Sequence, residues 1–426
     1  MQRVALGAGF VVGGALGVAA RRFFHRRLRF GPWGPLGEPL PGGVDAVGLA
    51  LMQATSTEML DGNRLTLRDN GEVFPALERA FLAARRSIHV DVYIWKPGPP
   101  GDRLRELACQ RAREGVAVRI LVDPVGSPGF AEHLAPALRE AGCEVHYFRP
   151  FEQRPFAFTG RNHRKIVIVD GRVGFTGGFG ISPEWDGDGL SPCGWRDSNV
   201  EVEGPVVRQM QVAFASHWLE TGGRMLAAED FTQAQPAGDA RAAYVTSTDV
   251  QGLSHARWVT HIALAAARER AWIANAYFIP PPGVLGTLCA RAARGVELRL
   301  MLPGPYQDHP TVTFLQRRLY PRLERSGVRV YEYQPSMLHA KTMLVDDRLV
   351  VVGSINLDYL SMEYLEEGSL VVDDRAFAAE FARRWEVDLS RSKQRTWPRE
   401  ARVPEVTVPE LLPERAGYAG ELNPSP

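Results

Sequence analysis

The sequence predicts an α/β protein of two pseudo-symmetric lobes, each a mixed β-sheet flanked by helices, with a hydrophobic helix ahead of them. Three observations lead there. The chain has 426 residues, more than one ordinary core accommodates and suited to two domains or one large pseudo-symmetric body. Helical stretches alternate with short apolar strands, the pattern of a largely parallel or mixed sheet covered by helices. The body also repeats itself, which is what sets the number of lobes at two.

The repeat is read element by element. In the first half Ala83-Ala84-Arg85-Arg86-Ser87 leads into residues 88–95, IHVDVYIW; in the second, residues 265–270 lead into 271–280, AWIANAYFIP. Each is a helical stretch running into an apolar strand that carries a tyrosine, Tyr93 or Tyr277. Next come RAREGVAVRILVD, ending at Asp123, and RAARGVELRLMLP, ending at Pro303. Each reads as helix, glycine turn at Gly115 or Gly295, and buried strand. Both halves then reach their most distinctive segment, NHRKIVIVDGRVGFTGG at 162–178 and LHAKTMLVDDRLVVVGS at 338–354. The expected organisation is an N-terminal anchor with a basic flank (1–30), a linker (31–60), a first lobe (61–220), a polar connector (221–240), a second lobe (241–389) and a C-terminal tail rich in proline and charge (390–426).

Composition limits the function classes. The net charge of +1 lacks the basic excess of a protein that tracks nucleic-acid phosphates, so no nucleic-acid partner is expected. The cysteines Cys109, Cys143, Cys193 and Cys289 form no CxxC pair and cluster too loosely for a metal site or a disulfide framework. They read as reduced, mostly buried thiols, and no metal or cofactor is expected.

The N-terminus is different in kind. Residues 4–20 contain no charge and no strongly polar group; as a helix they span about 26 Å, the lower limit for a bilayer core. Residues 21–30 hold five arginines, and no acid appears before Glu38. Basic residues are retained on the cytoplasmic side, so a single-pass anchor with a cytoplasmic body is expected. The basic flank also suits anionic head groups. A cleaved signal peptide would carry its charge before the apolar run, a transit peptide would be amphipathic, and a core helix would sit awkwardly beside five arginines. Gly9, Gly13 and Gly17 have the spacing that lets membrane helices approach, although glycine abundance also accounts for it. The segment 32–43, PWGPLGEPLPGG, reads as linker.

The two distinctive segments share one pattern: His-x-Lys, four residues, Asp, six residues, then Gly-Gly or Gly-Ser. The residues are His163, Lys165, Asp170, Gly177 and Gly178, and His339, Lys341, Asp346, Gly353 and Ser354. On a strand, residues two apart share a face, so imidazole and ammonium project together. Asp170-Gly171 suits a tight hairpin turn. Two histidines fit phosphodiester chemistry: one neutral imidazole attacks phosphorus, the other protonates the departing alcohol and then activates the incoming one. Two lysines neutralise the non-bridging oxygens. A single HxK pair means nothing by itself; two copies at equivalent points of a repeat carry the argument.

On these residues the sequence resembles the phospholipase D superfamily, and within it the bacterial cardiolipin synthases. The resemblance runs from about Asp61 to about Leu389. It is supported by DGNRLTLRDNGEVFPAL from Asp61, GWRDSNVEVEGPVV at 194–207, LPGPYQDHP at 302–310 and VYEYQPSMLHAKTMLVD at 330–346. It implies a phospholipase D-like fold, with His163 and His339 as nucleophile and general acid/base, the former favoured as nucleophile. It also implies catalytic motifs completed by Lys165, Asp170, Lys341 and Asp346, with the aspartates in a more structural part. Asn356 is implied to touch phosphate, and Asp197 and Glu367 to orient the histidines. The implied reaction condenses two phosphatidylglycerols at a membrane into cardiolipin and glycerol through a phosphohistidine. The alternatives are a phospholipase D giving phosphatidic acid, a phosphodiesterase on nucleic acid, and an inert lipid-binding relative.

Gly180 departs from the family pattern where the first-half counterpart of Asn356 is usual, as do Leu360 and Leu365, where arginine and asparagine are frequent. His25, His89, His133, His146, His217, His255 and His261 read as surface or packing residues, and His309 as lining the entrance. Arg196 reads as a phosphate contact or an ion-pair partner. Tyr93, Trp95, Tyr277 and Phe278 read as an acyl-chain groove or as core.

Overall fold

The computed structural model describes residues 30–31, 34–35, 37–150, 160–231, 235–248 and 254–396. The expected membrane helix and its arginines lie outside these residues; among the described residues no helix is long and apolar enough to cross a membrane.

Among the described residues fifteen strands form one sheet. In chain order they are β1 (Leu60–Asp69), β2 (Ser87–Val92), β3 (Ala117–Val122), β4 (Glu144–Tyr147), β5 (Lys165–Val169), β6 (Val173–Gly177) and β7 (Ser198–Glu203). The second set is β8 (Ala240–Ser247), β9 (Arg270–Asn275), β10 (Glu297–Pro303), β11 (Arg329–Tyr333), β12 (Lys341–Val345), β13 (Leu349–Gly353), β14 (Glu367–Asp373) and β15 (Ser392–Arg395). The order across the sheet is β15-β11-β10-β9-β12-β13-β14-β8-β1-β7-β6-β5-β2-β3-β4. Apart from β15 the order is a palindrome about the β8–β1 junction. In each half three strands run parallel, β2-β3-β4 and β9-β10-β11, and the remaining pairings are antiparallel. The lobes are thus joined edge to edge, β8 pairing antiparallel with β1 through a register shift between Ala240 and Ala242.

Strand alternation divides the interior into three apolar clusters. Along β5, Val167 and Val169 face the first lobe's outer helices, whereas Ile166 and Ile168 face a central core that also holds Leu344 of β12. That central core is closed by Trp218 and Trp385, from the helices Val207–Glu220 and Arg375–Ser390 that occupy equivalent places in the two halves. Burial on both sheet faces explains why these strands read as continuous apolar runs rather than alternating ones.

Two expectations need correction. The stretch expected as linker contains a helix, Val47–Thr55, whose Val47 and Leu51, with Leu40, are buried in the second lobe's core; the apolar contact outweighs the Pro/Gly-rich composition just before it. The stretch expected as tail begins inside a helix that continues to Ser390, and then adds β15 antiparallel to β11. Of the cysteines, Cys109 and Cys143 are buried, Cys289 is half-buried and Cys193 is exposed.

Candidate active site

The motif strands place the site. Asp170 has φ 54° and Gly171 φ 63°, and Asp346 and Asp347 have φ 47° and 53°, the left-handed turn that matches the twist of the β5–β6 and β12–β13 hairpins. At the other end of each first strand stand His163 and His339. They are brought together by short pairings between the lobes. His163 N donates to Glu366 O at 2.8 Å, and His339 N donates to Arg196 O at 2.7 Å. Each histidine is therefore pinned by the backbone residue that precedes the orienting acid.

Those acids come from the opposite lobe. His163 Nδ1 donates to Glu367 Oε1 and Oε2 at 2.9 and 3.0 Å. His339 Nδ1 donates to Asp197 Oδ2 at 2.7 Å. With Nδ1–H committed to a carboxyl oxygen, the lone pair of each neutral ring sits on Nε2. Lys341 Nζ lies 2.8 Å from His339 Nε2, and Lys165 Nζ donates to His163 O at 2.7 Å. Aromatic rings close the sides: Tyr93 meets His163 edge-on at 5.3 Å, while Trp185, Trp195 and Tyr277 surround His339 at 5.1, 4.8 and 6.2 Å between centroids.

The two acids are held differently. Asp197 Oδ2 also accepts Trp185 Nε1–H at 2.9 Å, and Oδ1 accepts Ser198 N–H at 2.9 Å. Glu367 accepts the hydroxyls of Ser354 and Ser361. In the first half Gly178 stands where the second has Ser354, and the Trp185 indole supplies the missing donor. The same indole explains Gly180: a Cβ there would lie 2.8 Å from the Trp185 ring, so no asparagine fits opposite Asn356. Asn356 itself is buried beside Ser361, whose hydroxyl accepts its backbone N–H at 2.8 Å, and its Oδ1 has no partner among the described residues.

Electrostatics follow from burial. Burial, then the charges of Lys165 and Lys341, holds His163 well below its usual value; burial and Lys341 push His339 down to about 4. Burial pushes Lys165 down to about 7 and Lys341 down to about 8, because an ammonium is costly away from water. Burial raises Glu367 to about 8 despite its donors and the lysines. For Asp197 burial acts upward too, but His339, Lys341 and Trp185 outweigh it and keep the carboxyl below its ordinary range.

Not every expected residue joins this group. Asp170 accepts the backbone N–H groups of Arg85, Arg86 and Ser87, and Asp346 those of Arg268, Glu269 and Arg270. The motif aspartates thus tie the turn of the hairpin to the start of β2 or β9, a strand's length from the histidines; they support the site without lining it. Arg196 does not face the site either. It is buried and paired with Asp388 at 2.7 Å and Asp69 at 3.2 Å. Of the four candidate groove aromatics, Trp95 and Phe278 are core, and only Tyr93 and Tyr277 flank the histidines.

A buried network beside His163 was not legible in the sequence. Glu366 pairs with Arg149 at 3.0 Å, Arg164 at 3.2 Å and His217 at 3.4 Å, and His217 Nδ1 meets Asp91 Oδ2 at 3.0 Å. It is the charge-reversed counterpart of Arg196 with Asp388: in each case the residue before the orienting acid meets a side chain on the opposite lobe's closing helix, His217 or Asp388. The one available signal was Glu366-Glu367 and Arg196-Asp197 as adjacent charged residues in apolar surroundings.

Comparison with known proteins identifies the family. The sequence profile of the family described as cardiolipin synthase, PLD-like domain, matches residues 77–218 and 261–389. This chain belongs to that family. It is similar to cardiolipin synthase A of Pseudomonas aeruginosa, 36% identical over 354 residues that cover 82% of this chain and 71% of the relative. It is also similar to cardiolipin synthase 2 of Bacillus anthracis, 32% identical over 336 residues, 77% of this chain and 65% of the relative. Among solved structures, phosphatidylserine synthase of Haemophilus influenzae Rd KW20 has the same fold, with a TM-score of 0.64 at 13% identity over 82% of this chain and 92% of that one. Polyphosphate kinase of Porphyromonas gingivalis aligns with a TM-score of 0.53 at 12% identity, over 78% of this chain and 48% of that one.

Proposed function

We propose that this chain is a phosphatidyltransferase of the cardiolipin synthase type that joins two phosphatidylglycerols into cardiolipin and glycerol. The observation that carries this is the crossed pair of dyads: each lobe's histidine has Nδ1 held by the other lobe's carboxyl group, so both Nε2 atoms are left for chemistry beside two buried lysines. Family membership and the relatives' names supply the lipid class.

In the first step His163 Nε2 attacks phosphorus, the bond to the departing glycerol oxygen breaks, and that oxygen takes a proton from His339 Nε2. Lys165 and Lys341 face the non-bridging oxygens, with Asn356 beside them. The phosphodiester's negative charge offsets the lysine charges that depress both histidines, which raises His339 toward the protonated form this step requires. In the second step the hydroxyl of another phosphatidylglycerol gives its proton to His339, its oxygen bonds to phosphorus, and the phosphorus–nitrogen bond returns its electrons to His163. Residues 4–20 anchor the body to the membrane where these lipids are, with the body on the cytoplasmic side.

The test is a lipid assay: the purified chain with phosphatidylglycerol vesicles and chelator, beside His163→Ala, products resolved by mass spectrometry. Cardiolipin with glycerol, absent in the variant, is expected. Phosphatidic acid alone would replace the transferase with a hydrolase.

A further inference from the structure

The two halves of the site match in their histidines and lysines but not at their rims. Tyr93 and Tyr277 occupy equivalent positions of the repeat, and each ring lies beside its own lobe's lysine, with Nζ 5.5 and 5.8 Å from the centroid. Beyond the rings the halves diverge. Tyr277 donates its hydroxyl to Asp308 Oδ2 at 2.5 Å, and the same oxygen lies 3.6 Å from His309 Nε2. Asp308 and His309 end the loop between β10 and the helix Pro310–Arg325, with side chains 27% and 50% exposed. The equivalent loop of the first lobe, 124–129, reads PVGSPG and has no ionisable residue. Asp123 just before it is buried and accepts the amides of Val125 and Asn162, so it has no outlet to the mouth. A carboxylate offers about four acceptor positions; Tyr277 fills one at Asp308 and fixes the side chain's direction, and the exposed part faces solvent.

This rim belongs to His339. The Tyr277 ring is 6.2 Å from the His339 ring, and Asp308 is close enough to Lys341 to act on its charge. The alcohol that leaves in the first step and the alcohol that enters in the second both lie beside the imidazole that exchanges their proton. With His163 as nucleophile that imidazole is His339, so both alcohols lie on the Asp308 side.

We propose that Asp308, held by Tyr277, is a specificity-determining residue that selects a polyol: its carboxylate accepts a hydrogen bond from the hydroxyl next to the one that bonds to phosphorus. The inference rests on the phosphatidyltransferase reading and on His163 as nucleophile, and it names what that site asks of the alcohol. In the transfer step the reacting oxygen bonds to phosphorus, the phosphorus–Nε2 bond breaks with its electron pair returning to His163, and the reacting proton passes to His339. The neighbouring hydroxyl keeps its proton and shares it with Asp308. Water and monohydric alcohols have no such second hydroxyl, and a site built around that hydrogen bond disfavours them.

The test is a competition at one intermediate. The full chain in detergent is given phosphatidylglycerol as donor and equal concentrations of perdeuterated glycerol and 1-propanol, and mass spectrometry reads the ratio of deuterated phosphatidylglycerol to phosphatidylpropanol. Both products arise from the same phosphohistidine, so their ratio does not depend on the folded fraction or on the rate of the first step. The ratio is expected to favour glycerol in the parent chain and to fall about tenfold in Asp308→Ala, the effect of losing one hydrogen bond to a charged acceptor. Tyr277→Phe, which keeps the ring and removes only the hydroxyl that orients Asp308, should shift the ratio the same way and keeps the test decisive if Asp308→Ala is inactive. A ratio within twofold of the parent's in either variant overturns the proposal. Donor converted to phosphatidic acid alone, with no cardiolipin and neither phosphatidyl alcohol, refutes the transferase reading itself and the inference with it, whereas cardiolipin formed without either phosphatidyl alcohol overturns the inference alone.

Discussion

The two orienting acids predict opposite responses to removal of their charge. Asp197 is held low and serves as a full counter-charge to His339. In Asp197→Asn an amide must replace a carboxylate that accepts His339 Nδ1–H and Trp185 Nε1–H on Oδ2 and Ser198 N–H on Oδ1. An amide has one accepting side, so in either orientation its NH2 group meets a donor. Losing a charge-assisted hydrogen bond costs about 1.5–3 kcal/mol, a fall in kcat of roughly 10- to 150-fold, with KM little changed because no phosphate contact is lost. Glu367 differs, because burial raises it to about 8. Below that pH its carboxyl is neutral and a glutamine reproduces it, the amide oxygen accepting His163 Nδ1–H and one serine hydroxyl and the NH2 group donating to the other serine, whose hydroxyl rotates to accept. Glu367→Gln should therefore lose less than about tenfold in kcat at pH 6.5. Its deficit should widen as pH rises through about 8, where the parent carboxyl ionises and the amide does not. The Asp197→Asn deficit should stay constant over the same range. Initial rates of product formation from phosphatidylglycerol between pH 6 and 9 decide it. An Asp197→Asn variant within threefold of the parent, or a Glu367→Gln deficit that does not change with pH, would refute the reasoning.

The lysines make a second pH prediction. Their lowered values of about 7 and 8 mean that both are charged below this window and neutral above it, so KM for an anionic phosphodiester should rise from pH 7 to 9. The rate at saturation should decline only at higher pH, because the bound anion favours the ammonium forms; steady-state kinetics across this range check both. Asp170→Ala and Asp346→Ala each remove the acceptor of three backbone amides and should cost about 1–3 kcal/mol of stability in urea unfolding, while kcat per folded molecule stays near that of the parent. Arg196→Met leaves Asp388 buried without its guanidinium, while half-buried Asp69 keeps Arg384 at 3.2 Å, and should cost about 3–5 kcal/mol. Adding Asp388→Leu should restore more than half of that loss in thermal denaturation, since an uncompensated carboxylate is what the single change leaves behind.

Much was settled by the sequence alone, because its signals are local. The repeat, the helix–strand alternation and the His-x-Lys spacing are short-range patterns, and each maps onto one strand or one hairpin: β5–β6 and β12–β13 fall where the two motif segments run. The missed elements lack such patterns. The strand Ser392–Arg395 is polar because it lies at a sheet edge, and the helix Val47–Thr55 follows a Pro/Gly-rich run and gains its burial from the second lobe's core, residues far along the chain. The site divides in the same way. His163 with Lys165 and His339 with Lys341 could be named from spacing. That Glu367 serves His163 across 204 residues and Asp197 serves His339 across 142, each from the opposite lobe, depends on two sheets meeting edge to edge at β8 and β1. The same docking buries Glu366 with Arg164 and His217, and turns Arg196 to Asp388 instead of phosphate. The functional consequences — which imidazole nitrogen is free, which carboxyl is charged, which rim bears Asp308 — are set by burial and by neighbours distant in sequence. A desolvated charge takes its protonation state and its partner from the space around it, and the order of residues along the chain does not specify that space until the lobes have packed.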